Sequence, residues 1–136
     1  MYILFLEKEI CQSFSSLIIL FKVCDFSFLL IVISQNFAKL TSLNLSGSEF
    51  LEKIPNLSGS PNLRKLILDK CKRLVEVDDS VGFLDKLVTL RLGGCSRLKR
   101  FATRLGLRSL ESLYLDGCTR LKSFPEIEAE MESLKY

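Results

Sequence analysis

The 136-residue sequence contains no histidine and no tryptophan. The missing histidine excludes every catalytic triad, general base and metal site built on an imidazole. An excess of one charge is missing too: 19 basic residues stand against 16 acidic ones, for a formal net charge of +3. That balance is too mild to imply nucleic-acid binding by itself. No pair of carboxylates argues for a catalytic pocket, so the sequence reads as non-catalytic, with no cofactor and no metal. Cysteine is present but odd in number, at Cys11, Cys24, Cys71, Cys95 and Cys118. Free thiols of this kind suit a reducing compartment, the cytoplasm or the nucleus.

What the sequence does have is leucine in register. The unit Leu-x-x-Leu-x-Leu occurs as Leu40/Leu43/Leu45, Leu63/Leu66/Leu68, Leu87/Leu90/Leu92 and Leu110/Leu113/Leu115, and a further copy begins at Leu134. Three residues after each unit stands Ser48, Cys71, Cys95 or Cys118. Then come Leu51, Leu74, Leu98 or Leu121, followed by Ile54, Val77, Phe101 or Phe124. A repeat of 20–29 residues with this spacing is the mark of a leucine-rich-repeat solenoid. The expected fold class is therefore α/β. A parallel sheet of short strands lines the concave side, and irregular or short helical turns line the convex side. The repeat domain spans residues 37–136, with four repeats and a truncated fifth at Leu134.

One coil of this length cannot bury its own leucines, whereas stacked coils form a continuous apolar column. Each buried leucine side chain contributes about 1.5–3 kcal/mol, so stability accrues coil by coil. The turn after the strand needs a small side chain facing inward, and Cys is compact and suited to an apolar interior. Zinc ligation by Cys71, Cys95 and Cys118 would lack a fourth Cys or a His, and three ligands in a line make poor tetrahedral geometry. A redox pair is disfavoured because buried thiols away from cationic groups are usually inert. On the return side, Asp79-Ser80 is placed to cap a helical turn over Val81, Leu84 and Leu87. Residues 126–134, with Ile127 and Met131 four apart, would form another.

Residues 1–36 fall outside the register. Residues 13–34 are strongly apolar and long enough for a membrane span, which needs about 20 apolar residues. Lys22 and Asp25 interrupt the stretch, and Glu7 and Glu9 spoil the net-positive start of a secretory signal. Three readings stand beside one another: a buried strand or helix over the first coil, a membrane anchor, and sequence that does not fold with the repeats. A decayed repeat would align Ile19, Phe21 and Cys24 with Leu43, Leu45 and Ser48.

Residues alternating with the inward leucines face outward on the concave sheet. Asn44, Ile67, Arg91 and Tyr114 make the central column, with Lys65 on one side and Asp69 and Asp116 on the other. These seven are the candidate protein-binding surface, and Tyr and Arg are types enriched at energetically important contacts. Arg73, Arg97 and Arg120 form a second, basic column. It reads either as a strip for an acidic protein surface or phosphate, or as long stems lying over the core edge with their heads in water. No recognised nucleic-acid module accompanies it.

From about Asn36 onward the chain resembles the leucine-rich repeats of plant intracellular nucleotide-binding immune receptors, of the type with an N-terminal Toll/interleukin-1 receptor domain. The resemblance rests on Leu43-Asn44-Leu45-Ser46-Gly47-Ser48, on Ile54-Pro55-Asn56-Leu57-Ser58-Gly59, and on the Cys turns Leu68-Asp69-Lys70-Cys71, Leu92-Gly93-Gly94-Cys95 and Leu115-Asp116-Gly117-Cys118. It closes on Phe124-Pro125-Glu126-Ile127. Extracellular plant repeats favour Asn where these have Cys. The resemblance implies a recognition and autoinhibition fragment of a disease-resistance receptor. Its expected partners are proteins: a pathogen effector, a host guardee or the receptor's own nucleotide-binding module. No Gly-x-x-x-x-Gly-Lys-Ser/Thr loop is present, so nucleotide binding is not carried over. Nor is NAD cleavage, which belongs to the absent Toll/interleukin-1 receptor domain. Two alternatives remain: a membrane-anchored repeat protein using residues 13–34, and a non-functional truncated remnant.

Overall fold

Inward leucines at alternating positions can be buried only if successive coils lie in register, and the backbone is arranged to do this. The computed structural model describes residues 16–18, 38–54, 56–128 and 134. Strands β1 (Ser16–Ile18), β2 (Ser42–Asn44), β4 (Lys65–Ile67), β6 (Thr89–Arg91) and β9 (Ser112–Tyr114) form one parallel sheet in the order β1-β2-β4-β6-β9. The leucines at the strand centres stand opposite one another, Leu43 against Leu66, Leu66 against Leu90, and Leu90 against Leu113. Beyond each strand, backbone N–H groups continue the ladder: Leu45 donates to Ile67 O, Leu68 to Arg91 O and Leu92 to Tyr114 O, each at 2.8 Å.

The decayed-repeat alignment needs a correction. Leu17, not Ile19, pairs with Leu43, because β1 is offset by two residues from the expected register. A slip of two preserves the period-2 alternation of a strand, so it is tolerated where a slip of one would not be. The rest of the candidate anchor at residues 13–34 lies outside the described residues. Among the described residues no helix is long and apolar enough to cross a membrane.

The return side is more regular than the sequence suggests. Strands β3 (Lys53–Ile54), β5 (Glu76–Val77) and β7 (Arg100–Phe101) form a second parallel sheet, and β8 (Arg104–Leu105) pairs with β10 (Glu126–Ile127). The helical turn expected over residues 126–134 is therefore extended at its start. Glu126 N donates to Thr103 O at 3.0 Å and Glu128 N to Leu105 O at 2.9 Å, so pairing with the neighbouring coil wins over a local helix. The other expected turn is present as a 3-10 turn at Asp79–Phe83, which holds Val81 and stops before Leu84 and Leu87. Its cap is Asp78, one residue earlier than expected, whose carboxylate accepts from Ser80 N at 2.9 Å.

The core is a set of stacked columns. All the leucines of the first three units are buried, as are Leu51, Leu74 and Leu98, together with Ile54, Val77 and Phe101. Two further columns, Leu57/Val81/Leu105 and Ser60/Leu84/Leu107, close the return side. In the fourth coil burial weakens: Leu113, Leu115, Cys118 and Leu121 are only partly covered. Phe124 is half exposed and meets Phe101 edge to face, with ring centroids 5.9 Å apart.

The turn that leaves each strand explains the cysteine column. Gly47, Lys70, Gly94 and Gly117 all adopt left-handed φ values, between 60° and 75°. Glycine suits this conformation, and Lys70 adopts it at a cost of about 1–2 kcal/mol. The next residue then points inward at the preceding coil. Cys71 Sγ donates to Leu45 O, Cys95 Sγ to Leu68 O and Cys118 Sγ to Leu92 O, each at 3.1 Å. The buried hydroxyl of Ser48 has no partner among the described residues. Burial pushes the Cys71 thiol up to about 11 and the Cys95 thiol up to about 12, from an ordinary 9.0. Cys118 shifts in the same direction for the same reason. Protonated thiols committed to carbonyls are the opposite of what zinc ligation or redox chemistry requires.

These shifts set a pH dependence. Below pH 9 both folded and unfolded chains hold the proton, and nothing is lost. Above it the unfolded chain releases the proton while the folded chain keeps it, so stability falls as pH rises toward 11–12. Urea denaturation at pH 7.5 and 10.5 should show the wild type losing on the order of 2 kcal/mol more per thiol than the Cys71→Ser/Cys95→Ser variant. Equal losses in the two proteins would contradict this account.

Candidate protein-binding face

The concave sheet places the candidate residues by its register. Asn44, Ile67, Arg91 and Tyr114 stand side by side across four strands, as do Lys65 and Thr89 in the next column. The leucines between them are held in the core, so the outward side chains vary without disturbing the scaffold.

Four of the seven candidates meet around one point. The carboxylate of Asp69 accepts from Arg91 Nε at 2.7 Å and from Gly93 N at 2.9 Å. The Arg91 guanidinium carbon in turn lies 4.8 Å from the centre of the Tyr114 ring. Three consecutive coils thus contribute an acid, a base and an aromatic ring to one stack. A cation over an aromatic face contributes about 0.5–1 kcal/mol at an exposed site. Asp116 joins through Gly93. A Cβ on Gly93 would stand 2.9 Å from Asp116 Oδ1 and 3.1 Å from Asp69 Oδ1, so any larger residue would push these carboxylates aside from the turn.

The remaining candidates are placed apart from this stack. Asn44 turns its Oδ1 back to accept from Ser46 N at 3.0 Å, a local Asx turn that takes up part of its side chain. Lys65 is exposed, and Ile67 is half-buried between Asn44 and Arg91. Sequence reasoning found the stacked residues but not the part Gly93 plays. The Gly93-Gly94 pair was its only signal, because the neighbouring turns have Asp or Ser before the left-handed residue.

The basic column divides. Arg73 is paired with Glu52 at 2.5 Å and lies 5.9 Å from the Phe50 ring centre. Arg97 and Arg120 are exposed and have no ion-pair partner among the described residues. Nearby, Glu76 takes both Arg100 and, at 3.6 Å, Lys53. The hydrogen bond from Arg100, with the charges of both bases, holds the Glu76 carboxyl below its usual range. Among the described residues no group of three or more acidic or thiol side chains is gathered to hold a metal ion.

Comparison with known proteins agrees with the repeat fold. The family model described as Leucine Rich Repeat matches residues 39–60. The chain is 40% identical over 95 residues to disease resistance protein RPP4 of Arabidopsis thaliana, covering 70% of this chain and 8% of that protein. These are leucine-rich repeats of the plant disease-resistance kind. Disease resistance protein RML1A of Arabidopsis thaliana is 38% identical over 101 residues, 74% of this chain and 10% of that protein. The TMV resistance protein N of Nicotiana glutinosa is 36% identical over 106 residues, 73% of this chain and 9% of its own length. The chain thus spans about a tenth or less of the length of these curated relatives. No solved structure gives a significant match. Repeats of this fold are protein-interaction modules and are generally non-catalytic.

The stack around Arg91 is open to a direct check. A double-mutant cycle of Asp69→Ala and Arg91→Ala, read by urea denaturation, should give a coupling energy of roughly 0.2–1 kcal/mol. Asp69→Ala alone should cost more than Arg91→Ala alone, because it also leaves the Gly93 N–H without its acceptor. Strict additivity of the two substitutions would show that the pair does not act as a unit.

Proposed function

We propose that the chain is a non-catalytic recognition module of a plant defence receptor, and that it binds protein through its concave sheet. The observation that carries this is the Asp69–Arg91–Tyr114 stack. Arg and Tyr are residue types enriched at energetically important contacts, and here both are exposed and drawn together by Asp69. Ordering them in advance removes part of the entropy lost on binding. Partners consistent with the relatives' role in resistance are a pathogen effector, a guarded host protein or the receptor's own nucleotide-binding module. In the last case the same face serves autoinhibition. The binding unit we assign is residues 37–136, in a cytoplasmic or nuclear setting.

A photo-reactive amino acid placed in the full chain tests the choice of face. Position Thr89 lies on the concave sheet beside Arg91, and Thr103 is exposed on the return side. In infected and uninfected plant tissue, a discrete protein adduct should form from position 89 and not from position 103. Arg91→Ala/Tyr114→Ala should reduce it about 30-fold, the effect of losing roughly 2 kcal/mol at a hot spot. Adducts of equal yield from both positions, or a yield unaffected by the double substitution, would overturn the proposal.

A further inference from the structure

The lateral edge, where the chain passes from the concave sheet to the return side, has its own pattern of charge. Backbone hydrogen bonds stack one column of positions there: Val75 N donates to Glu52 O, Lys99 N to Val75 O and Lys122 N to Lys99 O. Two residues earlier in each coil from the second onward stands Arg73, Arg97 or Arg120. In the first two coils the edge neutralises itself, since the Glu52 carboxylate takes Arg73 of the next coil at 2.5 Å. Glu76 likewise takes Arg100 of the next coil, here from the directly opposite position of paired strands. A carboxylate in one coil holding a guanidinium in the next is therefore the building rule of this edge.

The rule stops at the third coil. The position that offers Glu52 to Arg73 offers Val75 to Arg97, and it offers the ammonium of Lys99 to Arg120. Arg97, Lys99, Arg120 and Lys122 are all exposed and have no ion-pair partner among the described residues. Residues 96–100 and 119–123 contain no acidic side chain at all. Coils about 4.8 Å apart bring these like charges together, and among the described residues no carboxylate relieves them.

We infer that Arg97, Lys99, Arg120 and Lys122 form a second contact surface, for an extended acidic protein segment whose carboxylates occupy the place that Glu52 takes for Arg73. Side chains on one face of an extended segment recur about every 6.6–6.8 Å against about 4.8 Å between coils, a difference that the long, exposed Arg and Lys stems take up. A carboxylate is favoured over phosphate because the molecule already closes this edge with carboxylates. The surface is distinct from the concave sheet and does not depend on the proposal made for it.

The test uses the full chain and a fluorescent peptide of four Glu-Ser repeats, with a Gln-Ser peptide and a single-stranded oligonucleotide of equal length as comparisons. Fluorescence anisotropy at low salt should show the Glu-Ser peptide binding at least tenfold tighter than either comparison. Lys99→Ala/Lys122→Ala should weaken it at least tenfold. Lys99→Glu should abolish it, because a carboxylate at position 99 rebuilds the ladder and takes Arg120 within the chain. Lys39→Ala/Arg64→Ala, which removes the same charge elsewhere, should change binding less than twofold. The inference is overturned if the Glu-Ser peptide does not bind, or if the oligonucleotide binds as tightly. It is also overturned if the two double variants weaken binding equally.

Discussion

Everything in this chain depends on a coil that is unable to satisfy itself. A 23- or 24-residue turn of backbone exposes several leucines and a row of peptide groups, and neither finds a partner within the turn. Stacking supplies both at once. The N–H groups of one coil donate to carbonyls of the next, and the leucines of the first three coils close into buried columns. The thiol column belongs to the same constraint: each Cys reaches back to the carbonyl that ends the preceding strand. A Cys is small enough for the turn, apolar enough for the core, and still able to donate one weak hydrogen bond.

Because the inward positions satisfy the scaffold, the outward ones are free to carry chemistry, and they do so across coils. Asp69, Arg91 and Tyr114 come from three repeats, and no two of them are close in sequence. On the lateral edge Glu52 and Arg73, then Glu76 and Arg100, are likewise separated by about one coil. In a solenoid a residue's true neighbours are one period away, so a single substitution alters a surface shared by two or three repeats. Relatedness to plant disease resistance proteins is consistent with a surface changed in this way while the backbone stays fixed.

The parts of this architecture legible in the sequence are those that repeat. Leucines 43, 66 and 90 and the thiols of Cys71 and Cys95 recur every 23 or 24 residues, and their burial follows from that alone. The concave columns followed as well, since strand alternation leaves no choice of face. What was hidden does not repeat. Strands β3, β5 and β7 are two residues long with only one buried position each, too short to show a period. Ile127 and Met131 imitated a helical spacing, but the backbone of residues 126 and 128 is claimed by residues 103 and 105. The pairing of Ser16–Ile18 at an offset of 26 rather than 24 is invisible to any search for a constant period. Gly93 was hidden for another reason: its importance lies in the side chain it lacks, between two carboxylates from neighbouring coils.

The central claim is that stability comes from neighbouring coils rather than from any coil by itself, and amide hydrogen exchange tests it most directly. Protection should be greatest for Leu45 and Leu68 N–H, which donate between the fully buried first three coils, and should fall for residues 112–121 in the less covered fourth coil. A substitution such as Leu90→Ala should lower protection in the second and fourth coils as well as the third. If exchange is uniform along the chain, or if the damage from Leu90→Ala stays within its own coil, the account is contradicted.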